Sequence, residues 1–248
     1  MEIMIDIETL RSSEENRLEI LKDTQENFKA PTGLTKAQAA KDLGLTDGKE
    51  IKFTSAPDMI ARWEERFREE KAVEVAQAKW EKTSFDPEVA PIACICIDIN
   101  GKQFSFSTHN GHCKDEADLL DCFHEHINEA CIEHGEAIRK PKFIGHYLNK
   151  FDLPFIFKRS VINNVKCCTG VKWVDAKHGY DCFDTMQAWA GYGKSISMDK
   201  LAKILGIEGK GDIDGSMVYD TWQEDPQKVI DYCHADVAMV RAIHERLK

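Results

Sequence analysis

Apolar and polar positions alternate at the start of the chain, where Ile3, Ile5 and Ile7 are interleaved with Asp6 and Glu8. Side chains alternate between the two faces of a β-strand, so this pattern predicts a strand with both carboxylates on one face and the isoleucines on the other. Adjacent carboxylates repel one another unless a positive group lies between them, and a divalent cation is an obvious candidate. Taken alone, the pattern fits a metal site and a merely solvated polar face equally well.

A β pattern returns after residue 91. Residues 92–97 are an apolar run, Asn100-Gly101 is a hairpin turn signal, and residues 102–108 form the returning strand. With the opening strand they predict an antiparallel meander, followed by a fourth strand at 142–146 and a fifth between 171 and 184. Helical patterns occupy residues 114–134, from 152, 197–205, 216–222 and 225 to the end. Strands followed by helices in this order predict an α/β fold in which helices cover a mixed sheet.

Residues 11–90 carry helical patterns and no convincing strand. The helices are predicted at 14–28, 35–45 and 55–82, and the last begins at Ser55 with Pro57 in its first turn. Basic residues on this helix are mixed with many glutamates, which indicates a solvated face rather than a surface that grips a nucleic-acid strand. We therefore expect a single domain over residues 1–248 that carries 11–90 as a helical insertion after the first strand.

Composition narrows the functional classes. The 248 residues carry a net charge of −10, which argues against a broad nucleic-acid coat but not against an enzyme that holds a few phosphates through bound cations. The sequence shows no apolar run of the ~20 residues that span a bilayer and no targeting segment ahead of the first strand, so we expect no membrane association. Nine cysteines without a repeated CxxC spacing indicate a reducing cytosol.

Two further acidic positions stand out in the second half of the chain. Asp152 lies between Phe151 and Leu153 where a helix begins, and the final helix places Tyr232 and Asp236 four residues apart on one face. Each has an ordinary interpretation when taken alone. Asp152 could cap its helix, and Tyr232 and Asp236 could form a surface pair.

Together, the acidic positions form an ordered set. Asp6-x-Glu8, Gly145-His146-x4-Phe151-Asp152 and Tyr232-x3-Asp236 resemble the three motifs of the DnaQ-like (DEDD) 3′–5′ exonuclease superfamily. Residues 197–201 and 209–216 resemble the segment before the third motif in stand-alone, often phage-borne exonucleases related to the proofreading domain of family B DNA polymerases. The resemblance implies a ribonuclease H-like fold and metal-dependent hydrolysis of phosphodiester bonds.

The resemblance also implies roles for five catalytic residues. Asp6, Glu8 and Asp236 would hold the ion that activates the attacking water, and Asp6 with Asp152 would hold the second. Two divalent cations suit an in-line phosphoryl displacement, and Mg²⁺ or Mn²⁺ suits an all-oxygen site. Tyr232 would orient the water, which makes this the tyrosine type, because the position that carries histidine in the other type is Asp231.

Candidate substrate contacts lie beside these motifs. They are Thr9, Leu10, His146, Tyr147 and Phe151. Many members of the superfamily have His-Asn at the second motif, where this chain has His146-Tyr147, so we expect a contact to be altered there. Tyr147 is a candidate for stacking on a base.

The expected activity is removal of 5′-mononucleotides from single-stranded or frayed 3′ ends of DNA, in a bacterial or phage-infected cytosol. A polymerase or another replication or recombination protein is an expected partner. Two alternatives stay open at this stage, an exoribonuclease on the same fold and a non-catalytic nucleic-acid-binding module.

Clustered histidines and cysteines also raise a zinc interpretation. They are Cys122, His124, His126, Cys131 and His134 on one predicted helix, and His109, His112 and Cys113 before it. Neither cluster has a second ligand pair of recognised spacing. We therefore expect surface histidines and core-lining cysteines here.

Overall fold

A computed structural model describes residues 1–111, 113–132, 140–207 and 213–248. The chain divides into two compact units, one formed by Met1–Leu10 with Ser84–Lys248 and the other by Arg11–Thr83. The predicted organisation as one domain with an insertion at 11–90 stays a prediction. The residues 208–212 of the predicted segment before the third motif lie outside the described residues.

The larger unit contains a mixed five-stranded sheet. Its strands are β1 (Glu2–Thr9), β2 (Ile92–Ile99), β3 (Lys102–Ser107), β4 (Lys142–Gly145) and β5 (Phe183–Asp184). Their order across the sheet is β3-β2-β1-β4-β5. The pairs β1–β2 and β2–β3 are antiparallel, and β1–β4 and β4–β5 are parallel. The predicted meander is confirmed, and β1 is the central strand.

Ten α-helices lie in the described residues. They are α1 (Glu14–Glu26), α2 (Lys36–Asp42), α3 (Gly48–Phe53), α4 (Ala56–Glu81), α5 (Glu116–Ala130), α6 (Asp152–Ile162), α7 (Thr185–Ala190), α8 (Met198–Ile204), α9 (Val218–Glu224) and α10 (Pro226–Leu247). Short 3₁₀ turns occupy Lys82–Phe85 and His109–Gly111. The sequence did not predict α3, and the predicted fifth strand is only two residues long. Within the described residues, no helix is both long and apolar enough to cross a bilayer.

Two cores lie on opposite faces of the sheet. On one face, Ile3, Ile5 and Ile7 of β1 pack with α5 and α6. On the other face, Met4 of β1 and Cys96 of β2 pack with α8 and α10. The alternation read from the sequence is therefore real, and it directs Asp6 and Glu8 to the face that α10 covers.

The end of β4 is close to β1. A Cβ atom at Gly145 would lie 3.0 Å from the Leu148 side chain and 3.2 Å from the carbonyl oxygen of Ile5. Glycine is therefore required for β4 to approach β1 while the chain turns toward α6.

A buried ion pair fixes α6 against α5. The Arg159 guanidinium contacts both carboxylate oxygens of Glu116, and its Nη1 donates to the Pro87 carbonyl at 3.2 Å. Glu116 Oε1 also accepts the Ile92 backbone N–H at 2.8 Å. This network connects both helices to the start of β2.

The smaller unit is helical and has a core of its own. That core contains Phe28, Met59 and Trp63, and the Trp63 ring stacks on Phe28 with centroids 6.3 Å apart. The Trp63 indole N–H donates to Asp42 Oδ2 at 3.0 Å, which joins α4 to the end of α2.

Candidate active site

The central strand supplies the first two acidic groups. Carboxylate oxygens of Asp6 and Glu8 and the Sγ of Cys233 all lie within 4.8 Å of one another. Both carboxylates are partly exposed, whereas Ile5 and Ile7 on the opposite face are buried. The strand holds these two acids in place, because β2 pairs with residues 3–9 of β1 and β4 pairs with residues 2–4.

Cys233 of α10 is a neighbour that the sequence did not indicate. Its Sγ lies 3.5 Å from Asp6 Oδ2 and 3.4 Å from the Asp6 carbonyl oxygen. Burial raises the pKa of the Cys233 thiol well above its usual value, so the group is neutral and donates to Asp6. The spacing of Cys233 to Asp236, one helical turn, was the available signal.

Asp152 opens α6 and is 3% exposed. Burial, and after it the charges of Asp184 and Asp236, raise its pKa from 3.8 to about 8, although backbone hydrogen bonds of Asp152 and Ile7 oppose the rise. Asp152 therefore lies in the electrostatic field of two other acids, at the level of β1 where Ile7 separates Asp6 from Glu8.

Tyr232 and Asp236 lie one turn apart on α10. Tyr232 is 9% exposed and Asp236 is 3% exposed, and Tyr232 belongs to the core between α10 and the sheet. Burying a carboxylate is expensive unless it is paired or ligating. The interpretation of these residues as a surface pair is therefore wrong.

Asp184 completes the acidic group. Its buried carboxylate accepts backbone N–H groups from Tyr147 at 3.2 Å, Asn149 at 3.3 Å and Gln187 at 3.1 Å. The last of these caps α7, as the sequence predicts. Asp184 therefore holds the loop between β4 and α6 against α7.

Four of the residues predicted to bind the substrate interact with other residues of the protein. The Thr9 hydroxyl donates to the Ser84 carbonyl at 2.7 Å, and the Leu10 backbone N–H donates to the Pro91 carbonyl at 2.9 Å. The ring nitrogens of His146 lie 2.9 Å from Thr185 Oγ1 and 2.8 Å from the Ile196 carbonyl. Phe151 packs on Phe155 with centroids 5.3 Å apart.

Tyr147 differs from these four residues. Its side chain is 47% exposed, and its backbone φ is +63°, a left-handed conformation that is uncommon outside glycine. The hydrogen bond from its N–H to Asp184 helps to hold this conformation. The result is an aromatic ring directed away from the core, within the second motif and directly after His146.

The donor set suits a hard cation. Asp6 and Glu8 offer carboxylate oxygens, which Mg²⁺ and Mn²⁺ prefer, whereas the thiol of Cys233 is protonated and is a poor ligand in that state. Among the described residues, Asp152 and Asp236 belong to no group of three such ligand atoms within 4.8 Å. Their charges nevertheless interact, because the charge of Asp236 contributes to the raised pKa of Asp152.

The zinc alternative gains little from the structure. Cys113, Asp118 and Cys122 bring ligand atoms within 4.8 Å of one another, but burial raises the pKa of Cys113 to about 11. His124 is buried and bonds to Ser160 Oγ at 2.9 Å, so the expectation of a surface histidine is wrong there. His112 and His134 lie outside the described residues.

A mixed sheet with an antiparallel and a parallel half, covered by helices on both faces, defines an α/β protein with a ribonuclease H-like fold. The sequence of residues 82–246 matches the family of predicted 3′–5′ exonucleases related to the exonuclease domain of PolB, and the chain belongs to this family. It is thus a hydrolase of the nuclease class. Asp6 and Glu8 precede the matched segment.

A solved structure shows the same fold. The family B DNA polymerase from the hyperthermophilic archaeon Pyrobaculum calidifontis aligns with 99% of this chain, with a TM-score of 0.54 and 14% identity. The chain spans only 24% of the length of that polymerase, so the likeness concerns the fold alone. No curated protein matches the sequence.

Proposed function

We propose that the protein is a metal-dependent 3′–5′ exodeoxyribonuclease that removes 5′-mononucleotides from single-stranded or frayed DNA ends. The observation that carries this proposal is the gathering of Asp6 and Glu8 on the central strand beside α10, with Asp152 buried in the field of Asp236. Membership of a predicted exonuclease family supports it.

Four residues would hold the cations. Asp6, Glu8 and Asp236 form one set, and Asp6 with Asp152 forms the other, so Asp6 would be shared. Two bound divalent cations would neutralise the phosphate and stabilise the attacking and leaving oxygens of the displacement. The central position of β1 keeps Asp6 and Glu8 in place without a ligand, which lowers the reorganisation needed on binding.

Tyr232 would act through its phenol. Its ring is packed in the core between α10 and the sheet, on the helix face that also carries Asp236. From there the hydroxyl could hold the attacking water by a hydrogen bond. Because the phenol is not a cation ligand in this scheme, Tyr232→Phe should slow turnover and leave Mn²⁺ affinity unchanged.

The proposed substrate contacts divide into two groups. Tyr147 is exposed and available to a base. The other four residues form the second group. Thr9 and His146 are hydrogen-bonded to Ser84 and Thr185, so we assign them to shaping the site. We assign Leu10 and Phe151 to the apolar border of the site.

The decisive assay uses single strands of DNA and RNA that carry a label at either end. With Mg²⁺ or Mn²⁺, a 3′ label should appear at once as a mononucleotide, whereas a 5′ label should pass through a ladder of shortened products. Chelation with EDTA should stop both reactions. Asp6→Asn should lower the rate at least about a hundredfold, whereas Asp199→Asn, an exposed acid in the first turn of α8, should not.

The alternatives give different results. Activity in EDTA or in Asp6→Asn would contradict the two-cation mechanism. Degradation of RNA but not DNA would identify the protein as an exoribonuclease. Binding of nucleic acid without hydrolysis in every condition would identify it as a non-catalytic binding module. A polymerase partner is also part of the proposal, and faster turnover on addition of a polymerase would support it. The nine cysteines are free thiols, which supports the proposed reducing cytosol.

A further inference from the structure

A cavity of about 320 Å³ opens between the loop that joins β4 to α6 and the loop that joins α7 to α8. Its lining includes Tyr147, Asn149, Lys150, Gln187, Tyr192 and Lys194. The volume is at the lower end of the roughly 300–1,000 Å³ range of small-molecule sites. None of the three motifs predicts the α7–α8 side of this cavity.

The floor of the cavity is fixed by hydrogen bonds. Asp184 lines it and holds the backbone of Tyr147, Asn149 and Gln187. The Asn149 amide also donates to Gln187 Oε1 at 3.0 Å, across the two loops. Lys150 lies two residues before Asp152, and the Phe151 N–H donates to the Tyr147 carbonyl at 3.0 Å, so the cavity lies beside the acidic site and not on a remote surface.

The rim carries a second exposed aromatic ring. Tyr192 is 86% exposed and lies between Gly191 (φ 83°) and Gly193 (φ 74°). The Lys194 backbone N–H donates to the Gly191 carbonyl at 3.3 Å, and the Gly191 N–H donates to the Gln187 backbone carbonyl at 3.0 Å. These bonds make a tight turn that presents the ring at its tip, where exposure of a large aromatic side chain stabilises nothing in the protein itself.

The charge at this rim is opposite to that of the chain. Lys150 and Lys194 both line the cavity and have exposed side chains, although the whole protein carries a net charge of −10. Ammonium groups bind phosphate, and aromatic rings bind the faces of unpaired bases. Amides at the floor, from Asn149 and Gln187, add hydrogen-bonding groups for a base edge.

We propose that this cavity binds one unpaired nucleotide of the substrate strand, with its base against Tyr192 and its phosphate near Lys150 or Lys194. The inference rests on the proposed exonuclease function and adds a selection step to it. A base that is stacked within a duplex cannot present its face to this ring, so occupation of the cavity favours single-stranded ends.

The test compares two tyrosines of equal exposure. Tyr180 is 85% exposed and lines a different cavity, together with Met1 at the start of β1. Met1 precedes Asp6 by five positions, which corresponds to about 16 Å along the strand direction. Tyr192→Ala should raise the KM for a single-stranded oligonucleotide about five- to a hundredfold with kcat changed less than about twofold, whereas Tyr180→Ala should leave both constants unchanged.

A second substrate series locates the bound nucleotide. An oligothymidylate with a single abasic residue, moved inward from the 3′ end one position at a time, should lose affinity for the wild-type protein at one position. Tyr192→Ala should show no loss at that position, because the stacking partner is already absent. Lys194→Gln should raise KM less at high salt than at low salt, and Lys166→Gln, an exposed lysine beyond the far end of α6, should not change it.

The outcomes separate the two proposals. A wild-type protein that degrades no nucleic acid overturns the proposed function, and this inference with it. An active wild-type protein whose KM and abasic profile are unaffected by Tyr192→Ala overturns the inference alone. Equal effects of Tyr192→Ala and Tyr180→Ala would do the same, because they would show a general surface effect.

Discussion

Replacing Asp152 by asparagine should stabilise the cation-free protein while it removes activity. The carboxyl is 3% exposed, and burial together with the charges of Asp184 and Asp236 raises its pKa from 3.8 to about 8. Asparagine keeps the shape and can accept the same backbone N–H groups, but it carries no charge to desolvate. The native residue is therefore unfavourable for folding and is explained by its proposed role as a ligand.

The size of the effect on stability follows from the pKa of the Asp152 carboxyl in the unfolded and in the folded protein. In the unfolded chain the carboxyl loses its proton near 3.8, whereas the folded protein holds the proton until about 8. Stability from this group is therefore fully present below pH 3.8 and is lost as the pH rises to about 8. At about 1.4 kcal/mol per pKa unit the loss has a ceiling on the order of 6 kcal/mol, and we expect about 2–4 kcal/mol because water and dipoles reorganise around a buried charge.

Urea unfolding in EDTA at pH 5 and pH 8 measures this effect. Asp152→Asn should exceed the wild-type free energy of unfolding at both values, with the larger gain at pH 8. Asp199→Asn serves as the control, because Asp199 also lies in the first turn of a helix but is exposed. Its free energy of unfolding should change by less than about 1 kcal/mol.

Addition of Mn²⁺ should reverse the order of the two proteins. A cation that binds the native state stabilises it by mass action, and the wild-type protein should gain more than Asp152→Asn. A destabilised Asp152→Asn in EDTA, or a difference from wild type that is equal at pH 5 and pH 8, would refute the reasoning.

Three further predictions concern the scaffold. Arg159→Ala should lower the free energy of unfolding by about 3 kcal/mol, since it strands a buried acid, whereas removal of the exposed neighbour in Lys158→Ala should change it by less than about 1 kcal/mol. Burial lowers the pKa of His124 from 6.5 to about 4. As the pH falls, this histidine is therefore protonated in the unfolded chain before it is protonated in the folded protein. Stability should therefore drop by up to about 3 kcal/mol between pH 6.5 and 4, and His124→Gln should remove that part of the slope in urea titrations. Gly145→Ala should lower the thermal midpoint and reduce the free energy of unfolding by about 1–3 kcal/mol, because the added Cβ would meet the Leu148 side chain and the Ile5 carbonyl. Gly48→Ala should not lower the midpoint, because nothing lies within 4 Å of the added Cβ.

Much of the fold was accessible from the sequence because the patterns are local. The alternation in β1, the Asn100-Gly101 turn and the start of α4 at Ser55 are fixed by neighbours in the chain, and the structure confirms all of them. The two-residue β5 was placed only within a wide window. Its pairing depends on the parallel register with β4, which no local pattern encodes.

The site was accessible only in part, for the same reason. Asp6, Glu8, Asp152 and Asp236 were selected by their resemblance to the three exonuclease motifs, since each acid has an ordinary interpretation when taken alone. Cys233 was missed because a cysteine within an apolar helix face is ordinary, and its contact with Asp6 spans 227 residues. The sequence did not indicate the cavity that Tyr192 and Lys194 line, because an exposed turn carries no periodic signal and the cavity exists only where two loops meet at Asp184.

The position of β1 explains why the chain tolerates a long connection immediately after it. β1 lies between β2 and β4, so residues 82–246, which carry the family match, would lack the central strand if they were alone. The register with β2, from Ile3 opposite Ile99 to Thr9 opposite Ile92, involves seven pairs and is set by the strands themselves. Lengthening the connection costs only a slowly growing loop entropy. The carboxylates of Asp6 and Glu8 are therefore kept in place by the sheet, and the segment 11–83 is free to vary without moving them.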